Sequence, residues 1–361
     1  MLAFLRQQTY PLGSSKKICH MYPKEQQQWV LKQRPHGLPT TDDIQLETGP
    51  VREPEEGEVV LRNLYFSLDP AQRDWMNDAV SYLPPIEIGA PIRSTTLGQV
   101  VASRHKNFKE GDIAVGLATN AWQQYSTTPG DHLDLVDEPE FSPHYHLTIL
   151  GGAMGLTPYF GMLRLGQPAP GKTVLMSAAA GGVGSIAGQI AKMEGARVIG
   201  LTGTQEKCDF IVNELGFDDA INYKTVDNLV EAIAEKCPDG VDIYYDNVGG
   251  EMLDAALLNL AKGARVVFCG AISTYNADGP VPGPYQYWQI LAKGATVLGQ
   301  MNLKYADEYP MALDHIRQWL REDKIKFAEH IIEGIENTVD AYRMLFTGEN
   351  NGKLLVKVAD L

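Results

Sequence analysis

Residues 173–207 read TVLMSAAAGGVGSIAGQIAKMEGARVIGLTGTQEK, and no other stretch of the chain indicates a fold so clearly. An apolar run enters the glycine-rich turn AAAGGVG, and the turn leads directly into a segment whose apolar residues recur at helical spacing. A second apolar run, ARVIGL, follows that segment. This order of strand, helix and strand is typical of a βαβ unit, in which the two strands lie parallel in one sheet.

The same alternation continues to about residue 325. We predict strands at 173–178, 196–201, 219–222, 241–246, 264–270 and 295–299, and helices at 183–194, 205–215, 226–236, 250–261 and 308–322. Strands that alternate with helices form a parallel sheet with helices on both faces. The sequence therefore predicts an α/β fold, with a doubly wound Rossmann domain over residues 151–325.

The pattern of apolar and polar residues is different before Gly151. It consists of short alternating runs, such as EVVLRNLYFSL and TLGQVVAS, separated by Gly, Pro and Asp turns. This pattern predicts a mostly antiparallel β domain over residues 1–150, whose first 20 residues form a loose arm. The tail has the pattern of a strand, a helix at 337–347 and a strand, and we expect residues 326–361 to complete the first domain.

The composition excludes several classes of protein. The chain has 361 residues, enough for two domains, and 44% of them are hydrophobic, which excludes disorder as the main state. Lys and Arg total 31 against 45 Asp and Glu, and the net charge of -14 argues against a nucleic-acid partner. No apolar run approaches the roughly 20 residues of a membrane span, and the amino terminus has only five apolar residues before Arg6. We therefore expect a cytoplasmic protein with no membrane partner.

The glycine-rich turn resembles the dinucleotide fingerprint G-x-G-x-x-G, whose three positions are occupied here by Ala179, Gly181 and Gly184. Gly181 would allow the backbone to approach a pyrophosphate, and Gly184 would allow the helix to pack closely on the strand. The amides around Gly182 and Val183 would point at the anion from the positive end of the helix. Alanine at the first position is compatible with this function if that turn needs no positive φ. The turn therefore predicts a dinucleotide site.

The end of the second strand indicates which dinucleotide binds. An NAD site needs Asp or Glu about 20 residues past the glycines, where it holds the ribose hydroxyls. This chain has Thr202, Gly203 and Thr204 there, so no carboxylate repels a 2′-phosphate. Lys207, at the start of the next helix, supplies a cation able to pair with that phosphate. The residues therefore favour NADPH over NADH.

Several further motifs, in the same order, resemble one family. They are GLTPYFGML (155–163), AAAGGVGS (178–185), GFDDAINYKT (216–225), YYDNVGG (244–250), CGAISTYN (269–276) and KFAEHIIEGIEN (326–337). Over about residues 22–358, the chain closely resembles the zinc-independent medium-chain dehydrogenase/reductases known as prostaglandin reductases or leukotriene B4 12-hydroxydehydrogenases. That family includes bacterial curcumin reductases and plant alkenal double-bond reductases.

The resemblance implies a GroES-like β-barrel domain, a Rossmann domain, and a cleft between them where NADPH meets the substrate. It implies that Lys207 and Tyr223 contact the 2′-phosphate, and that Asn247 and Ser273 lie near the pyrophosphate or nicotinamide. Three further residues are expected to contact the cofactor: Thr202, Gly270 and Tyr275. The family also implies a homodimer, joined through edge strands of the cofactor domain.

Tyr287, in PGPYQYWQIL, is similar to the active-site tyrosine of the family, with Tyr285 and Trp288 as alternative counterparts. The chain departs from the family in two places. Where relatives tend to read DPYMR, residues 69–73 read DPAQR, which removes an aromatic ring from the expected substrate wall. Where they read GMPGLTAY, residues 152–159 read GAMGLTPY. The class of reaction survives these changes, but they leave the particular substrate open.

Zinc alcohol dehydrogenases resemble this fold, which raises the question of a metal site. Their catalytic zinc needs Cys and His ligands, usually with a GHE segment in the β domain. Here residues 97–99 read LGQ, and the four cysteines form no CxxC pair. His144 and His146, with Glu138 and Glu140 nearby, are interpreted as a polar surface loop. We predict no metal.

Without a metal, reduction of an isolated ketone would lack several kcal/mol of oxyanion stabilisation, whereas a conjugated alkene needs less. We therefore predict an NADPH-dependent oxidoreductase that reduces the C=C bond of α,β-unsaturated ketones and aldehydes. Hydride adds to the β carbon, the Tyr287 hydroxyl or a ribose hydroxyl stabilises the enolate, and the α carbon takes a proton. The alternatives are an NADPH quinone oxidoreductase of the same superfamily and a noncatalytic NADPH-binding protein.

Overall fold

A computed structural model describes residues 22–79, 81–118 and 120–361, so the expected amino-terminal arm lies outside the described residues. The strands are β1 (Glu25–Leu31), β2 (Ile44–Pro50), β3 (Glu58–Ser67), β4 (Ser94–Ser103), β5 (Ile113–Ala118), β6 (Tyr125–Pro129), β7 (Leu133–Leu135), β8 (Thr173–Met176), β9 (Arg197–Thr202), β10 (Asp219–Asn222), β11 (Val241–Asp246), β12 (Leu260–Phe268), β13 (Thr296–Gly299), β14 (Glu329–Glu333) and β15 (Lys353–Lys357). The α-helices are α1 (Ala71–Trp75), α2 (Thr157–Phe160), α3 (Gly182–Met193), α4 (Gln205–Asn213), α5 (Leu229–Lys236), α6 (Gly250–Leu258), α7 (Trp288–Lys293), α8 (Tyr309–Arg321) and α9 (Thr338–Thr347).

The larger sheet is mostly antiparallel. It has seven strands in the order β14-β15-β3-β4-β5-β7, with β6 paired to β3, and β1 and β2 form a separate hairpin-like pair. Its first two strands come from the tail of the chain, because β15 pairs antiparallel with β3 and β14 lies parallel to β15. The tail is thus built into the sheet formed by the first part of the chain.

The second sheet is parallel throughout, with the strand order β10-β9-β8-β11-β12-β13. Numbered within the domain, this is the order 3-2-1-4-5-6 of a doubly wound Rossmann sheet. The direction of strand addition reverses between β8 and β11, and ligands bind in the crevice outside the carboxyl ends of strands at such a point. The predicted α/β fold with a second, antiparallel domain is confirmed.

Helix α3 is held firmly on this sheet. Ile186, Ala187 and Ile190 are almost completely buried, as their spacing predicts for the face that packs on the sheet. A Cβ built on Gly188 would lie 1.9 Å from the ring of Phe217, so this helix approaches its neighbour more closely than any side chain would allow. The first turn of α3 is therefore fixed at the carboxyl end of β8.

Several elements differ from the sequence predictions. Helix α6 ends at Leu258 and β12 begins at Leu260, inside the helix predicted over 250–261, and α7 was not predicted. Helix α5 begins at Leu229, not at 226, because the Asn228 side chain caps it and accepts from the amide of Val230 at 3.0 Å. A helical segment over residues 152–166, centred on α2 and π-helical at both ends, was not predicted at all. Its glycines reflect packing, since a Cβ built on Gly161 would lie 2.4 Å from the hydroxyl of a core tyrosine on β11.

The helices are short, and α8 has 13 residues. Within residues 22–79, 81–118 and 120–361, no helix has the length and apolar character needed to cross a membrane.

Candidate functional site

The turn between β8 and α3 requires glycine at position 184. A Cβ built on Gly184 would lie 2.4 Å from the carbonyl oxygen of Ala178, and only a backbone shift could relieve that contact. Ala178 has a φ of 48°, in the left-handed region that costs a non-glycine residue about 1–2 kcal/mol. Ala179, at the first fingerprint position, is not among the residues with positive φ. Alanine at that position is therefore compatible with the turn.

The first turn of α3 has free amides. Its N-cap is Gly181, which has no side chain to accept from the amides of Gly182 and Val183. Such amides, together with the helix dipole, favour an anion at this position. The tail lies beside the turn, since Gly181 pairs with Gly352 and a Cβ built on Gly182 would lie 3.6 Å from Cα of Lys353. The turn therefore has the amide donors that a pyrophosphate needs, and the tail lies alongside it.

Lys207 lies in the first turn of α4, just after the end of β9. Its ammonium donates to the carbonyls of Gly348 and Asn350, at 2.6 and 2.7 Å, in the segment between α9 and β15. An ammonium has three donors, so one remains for a ligand. Burial, with a smaller effect from the charge of Lys224, lowers the pKa of Lys207. Within the described part of the chain, Lys207 is thus a partly buried cation that uses two of its three donors.

The side chains of Tyr223 and Lys224 both lie close to Gly203. A Cβ built on Gly203 would lie 3.1 Å from the Tyr223 hydroxyl oxygen and 3.2 Å from Cε of Lys224. Sequence reasoning missed Lys224, although it follows Tyr223 directly after a predicted strand. Thr202 is buried, and its hydroxyl lies 2.9 Å from the sulfur of Cys208, so that hydroxyl is already occupied.

Asp246 organises the turn after β11, and sequence reasoning did not single it out. Its carboxylate is buried and accepts from the Tyr244 hydroxyl at 2.9 Å and from the Val248 amide at 3.0 Å. Burial raises the pKa of Asp246. The side chain of Asn247 donates to the carbonyl of Ser177 at 2.8 Å. The turn after β11 is thereby fixed against the turn after β8.

The loop after β12, residues 269–276, packs on that turn. The Ser273 amide and hydroxyl both donate to the carbonyl of Val248, at 3.1 and 2.6 Å. A Cβ built on Gly270 would approach the Tyr275 hydroxyl to 3.2 Å, and burial raises the pKa of Tyr275. The structure thus brings four predicted residues together: Asn247, Gly270, Ser273 and Tyr275. We call the loops 177–184, 202–207, 246–249 and 269–276 the nucleotide edge.

The three candidates for the active-site aromatic lie on an exposed segment. Tyr285, Tyr287 and Trp288 are 77%, 66% and 64% exposed. The amide of Gln286 donates to Asp254 at 2.7 Å, which attaches the segment to α6. Within the described part of the chain, none of the three side chains has a hydrogen-bond partner. The structure therefore does not connect them to the nucleotide edge.

Helix α1 and the residue pair before it face the nucleotide edge. Asp69 pairs with Lys353, whose backbone lies beside Gly182. At the other end of this segment, Arg73 donates to the side chain of Asn276 at 3.1 Å. The DPAQR segment (residues 69–73), which departs from the family pattern, is therefore held at both ends. Asp69 pairs with Lys353 beside the glycine turn, and Arg73 contacts Asn276 in the loop after β12.

Tyr82 was not predicted as a site residue, because neither spacing nor periodicity marks it. Its ring packs edge-on against Trp75 of α1, with 6.0 Å between ring centroids. The Ser81 hydroxyl donates to the Asp74 carboxylate, which holds this loop on α1. Burial raises the pKa of Tyr82 to about 12, although 52% of the residue is exposed. A phenol that keeps its proton can donate a hydrogen bond to developing negative charge.

The residues considered for a metal have other partners. His144 contacts Glu329 at 2.9 Å, and Glu138 pairs with Arg317. Burial lowers the pKa of His146. Among the residues that the structure describes, no group of three His, Cys, Asp or Glu side chains is placed to hold a metal ion.

Comparisons with known proteins agree with this geometry. A family described as "N-terminal domain of oxidoreductase" matches residues 27–136, and one described as "Zinc-binding dehydrogenase" matches residues 182–318. The NADPH-dependent curcumin reductase of Escherichia coli (strain K12) is 40% identical over 340 residues, covering 92% of this chain and 96% of that protein. The NADP(+)-dependent 2-alkenal reductase of Nicotiana tabacum is 35% identical over 337 residues, covering 92% and 97%.

The crystal structure of CurA from Vibrio vulnificus in complex with NADPH has the same fold. It matches with a TM-score of 0.87 at 38% identity, covering 93% of this chain and 100% of that chain. These matches cover more than nine tenths of this chain. The chain therefore belongs to the zinc-independent medium-chain dehydrogenase/reductase family.

Proposed function

We propose that this protein uses NADPH to reduce the carbon–carbon double bond of α,β-unsaturated ketones and aldehydes, without a metal ion. One observation carries the proposal: Thr202, Gly203 and Thr204 occupy the place where an NAD site would have a carboxylate, and the cation of Lys207 lies just beyond them, at the same edge as the glycine turn. The relatives support the substrate class, because curcumin and 2-alkenals both contain a carbonyl conjugated with a double bond.

The nucleotide edge fits NADPH in three places. At the pyrophosphate, the free amides belong to a turn shaped by small residues: Ala179, Gly181, Gly182, Val183 and Gly184. At the 2′-phosphate, the donors are Lys207, Tyr223 and Lys224, with Thr202 accepting from the Tyr223 amide at 3.0 Å. At the nicotinamide, the neighbours are Asn247, Gly270, Ser273 and Tyr275. When bound, NADPH supplies a hydride to the β carbon of the substrate.

Reduction leaves negative charge on the substrate carbonyl oxygen, and a hydrogen-bond donor held at that oxygen lowers the barrier. We assign this role to the Tyr287 hydroxyl, with Tyr285 or Trp288 as alternatives. The same phenol, or water, then protonates the α carbon. Tyr82, held beside Trp75 of α1, is a second phenol that keeps its proton.

We further propose a homodimer that forms through β13. This strand lies at the edge of the parallel sheet, and Val297 on it is 48% exposed, while Leu291 on α7 is 68% exposed. An apolar edge strand is a template for pairing with another chain. A second copy would continue the sheet and cover part of the segment that contains Tyr287.

The proposal also covers the domain boundaries, the cellular location and the partners of the protein. We place the division between the domains near residues 150 and 326, so that the tail completes the first domain. We place the protein in the cytoplasm, with a small-molecule substrate and no nucleic-acid or membrane partner. The net charge of -14 supports the exclusion of nucleic acid.

Consumption of NADPH by the purified protein against unsaturated ketones, unsaturated aldehydes and quinones tests the proposal. We expect turnover of enones and enals, with the saturated carbonyl compound as the identified product. Turnover of quinones alone would instead identify a quinone oxidoreductase. NADPH binding without turnover of any compound would identify a noncatalytic binding protein.

A further inference from the structure

Arg73 on α1 is a buried guanidinium whose hydrogen-bond acceptors are all uncharged. It is 2% exposed. Its Nε donates to the carbonyl of Gly37 at 3.2 Å and to Oδ1 of Asn276 at 3.1 Å, while its two Nη atoms donate to Oδ1 of Asn77 at 2.5 Å and to the carbonyl of Pro35 at 2.9 Å. Burial lowers the pKa of Arg73. A buried charge of this kind is stable only while every acceptor stays in place.

One of these acceptors belongs to the other domain. Asn276 ends the 269–276 loop, which follows β12 of the parallel sheet. The same loop packs on the turn after β11, since the Ile272 amide donates to the carbonyl of Asn247 at 3.2 Å. Arg73 therefore reaches from the domain of the antiparallel sheet to the loop that contains Ser273 and Tyr275.

A second contact joins the same two segments. The Gly37 amide donates to Oδ1 of Asp278 at 2.9 Å, and Gly37 also accepts from Arg73. Asp278 is largely exposed, so water competes for this outer contact. Of the two contacts between these segments, the one between Arg73 and Asn276 is thus the better shielded from water.

We propose that Arg73, acting through Asn276, is a positioning residue that holds the 269–276 loop against the nicotinamide end of the bound cofactor. The inference rests on the proposed function, because it takes NADPH to bind at the nucleotide edge. Its physical basis is geometric: the guanidinium is a planar fork with fixed donor directions, so its other three acceptors determine where Asn276 must lie. Loss of the Asn276 acceptor would loosen the end of the loop that follows Ser273 without touching the cofactor itself.

The chain offers a matched pair of variants for the test. Asn276→Ala and Asn77→Ala each remove one amide acceptor from the same guanidinium, but Asn77 lies four residues from Arg73 in the same segment, whereas Asn276 lies across the domains. We expect both variants to lose similar thermal stability. Only Asn276→Ala should shift the fluorescence emission of bound NADPH and lower kcat about tenfold, with KM for NADPH changed less than about threefold. Asn276→Asp keeps the acceptor and should retain both the emission and kcat of the wild type.

Equal emission and kcat in the two alanine variants, or an Asn276→Ala protein identical to the wild type, would overturn the inference. If Asn276→Ala does not fold, the serine variants Asn276→Ser and Asn77→Ser make the same comparison with smaller cavities. The emission measurement needs only NADPH binding. A wild type that binds NADPH but reduces no enone would therefore refute the proposed function while this comparison still gives its own answer.

Discussion

The nucleotide edge and the exposed face formed by residues 281–303 belong to the same Rossmann domain, yet they are built in opposite ways. In the nucleotide edge, side chains fix one turn against another, as where Asn247 donates to Ser177 at 2.8 Å, and the groups left free are amides and one ammonium donor. In the exposed face, apolar side chains such as Leu291 and Leu303 are 68% and 62% exposed. The nucleotide edge is built from contacts within one chain, whereas the exposed face is where we propose that a second copy binds.

The largest effect is expected at Gly184, where the turn of the nucleotide edge has no space for a side chain. Gly184→Ala would place a methyl group 2.4 Å from a backbone oxygen, so the turn between β8 and α3 must move. Overpacking of this kind costs about 1–3 kcal/mol, and we expect the dissociation constant of NADPH to rise up to about a hundredfold. Isothermal titration with NADPH and thermal unfolding of the cofactor-free protein measure the two effects.

Gly182→Ala is the matched control for unfolding of the cofactor-free protein. Its methyl group would meet Lys353 at 3.6 Å or more, which is ordinary van der Waals contact. We therefore expect an unfolding temperature close to that of the wild type. Equal destabilisation by Gly182→Ala and Gly184→Ala would mean that the turn is not locked in the way described.

The second prediction concerns the cation of the nucleotide edge. Lys207→Glu removes the free donor and adds a charge that repels the 2′-phosphate, so KM for NADPH should rise about thirtyfold, far more than KM for NADH. Steady-state kinetics with both cofactors measure the ratio. Lys262→Glu makes the same charge change at an exposed position near the start of β12 and should leave both constants unaltered. A similar rise in KM for NADPH and for NADH in Lys207→Glu would contradict the assignment of Lys207 to the 2′-phosphate.

The nucleotide edge could be predicted because its signals are local. The turn, α3 and the end of β9 lie within residues 173–207, and the apolar spacing there reports directly on burial. Local signals fail where a contact spans the chain. Arg73 and Asn276 are 203 positions apart, and nothing near either residue indicates the other.

The features that the sequence analysis missed also depend on contacts between distant parts of the chain. No helix was predicted over residues 152–166, where Gly161 is small because Tyr245 of β11 packs against a helix. Tyr82 was overlooked because its place beside Trp75 depends on how the loop folds back on α1. The exposure of Tyr287 was not predictable either, because the resemblance indicated its counterpart in the family and not its surroundings in this chain.

The third prediction tests whether the exposed face contributes to catalysis. Tyr287→Phe removes one phenolic donor, and loss of a hydrogen bond to developing charge should lower kcat on an enone about tenfold, with little change in KM for NADPH. Tyr82→Phe deletes the same group beside α1 and should lower kcat less than about threefold. A larger loss in Tyr82→Phe would transfer the donor role to Tyr82, and full activity in both variants would leave the role to a ribose hydroxyl or water.

A substitution in β13, at the edge of the parallel sheet, is expected to change NADPH binding least. Val297→Glu would place a carboxylate on β13 beside its symmetric copy, so the repulsion should convert the proposed dimer to a monomer. Val297 pairs with Val266 in the sheet and belongs to none of the nucleotide-edge loops, so the dissociation constant of NADPH should change less than about twofold. Sedimentation velocity and NADPH titration measure the two quantities on the same sample.

Val281 provides a control that separates strand pairing from general apolar association. It is 47% exposed, against 48% for Val297, but it lies outside β13. If the strands pair edge to edge, Val297→Glu should dissociate the dimer and Val281→Glu should not, since only the first places charge along the hydrogen-bonded edge. Equal dissociation by both variants would indicate a broad apolar contact in place of a continuous sheet. A wild type that sediments as a monomer would refute the proposed dimer.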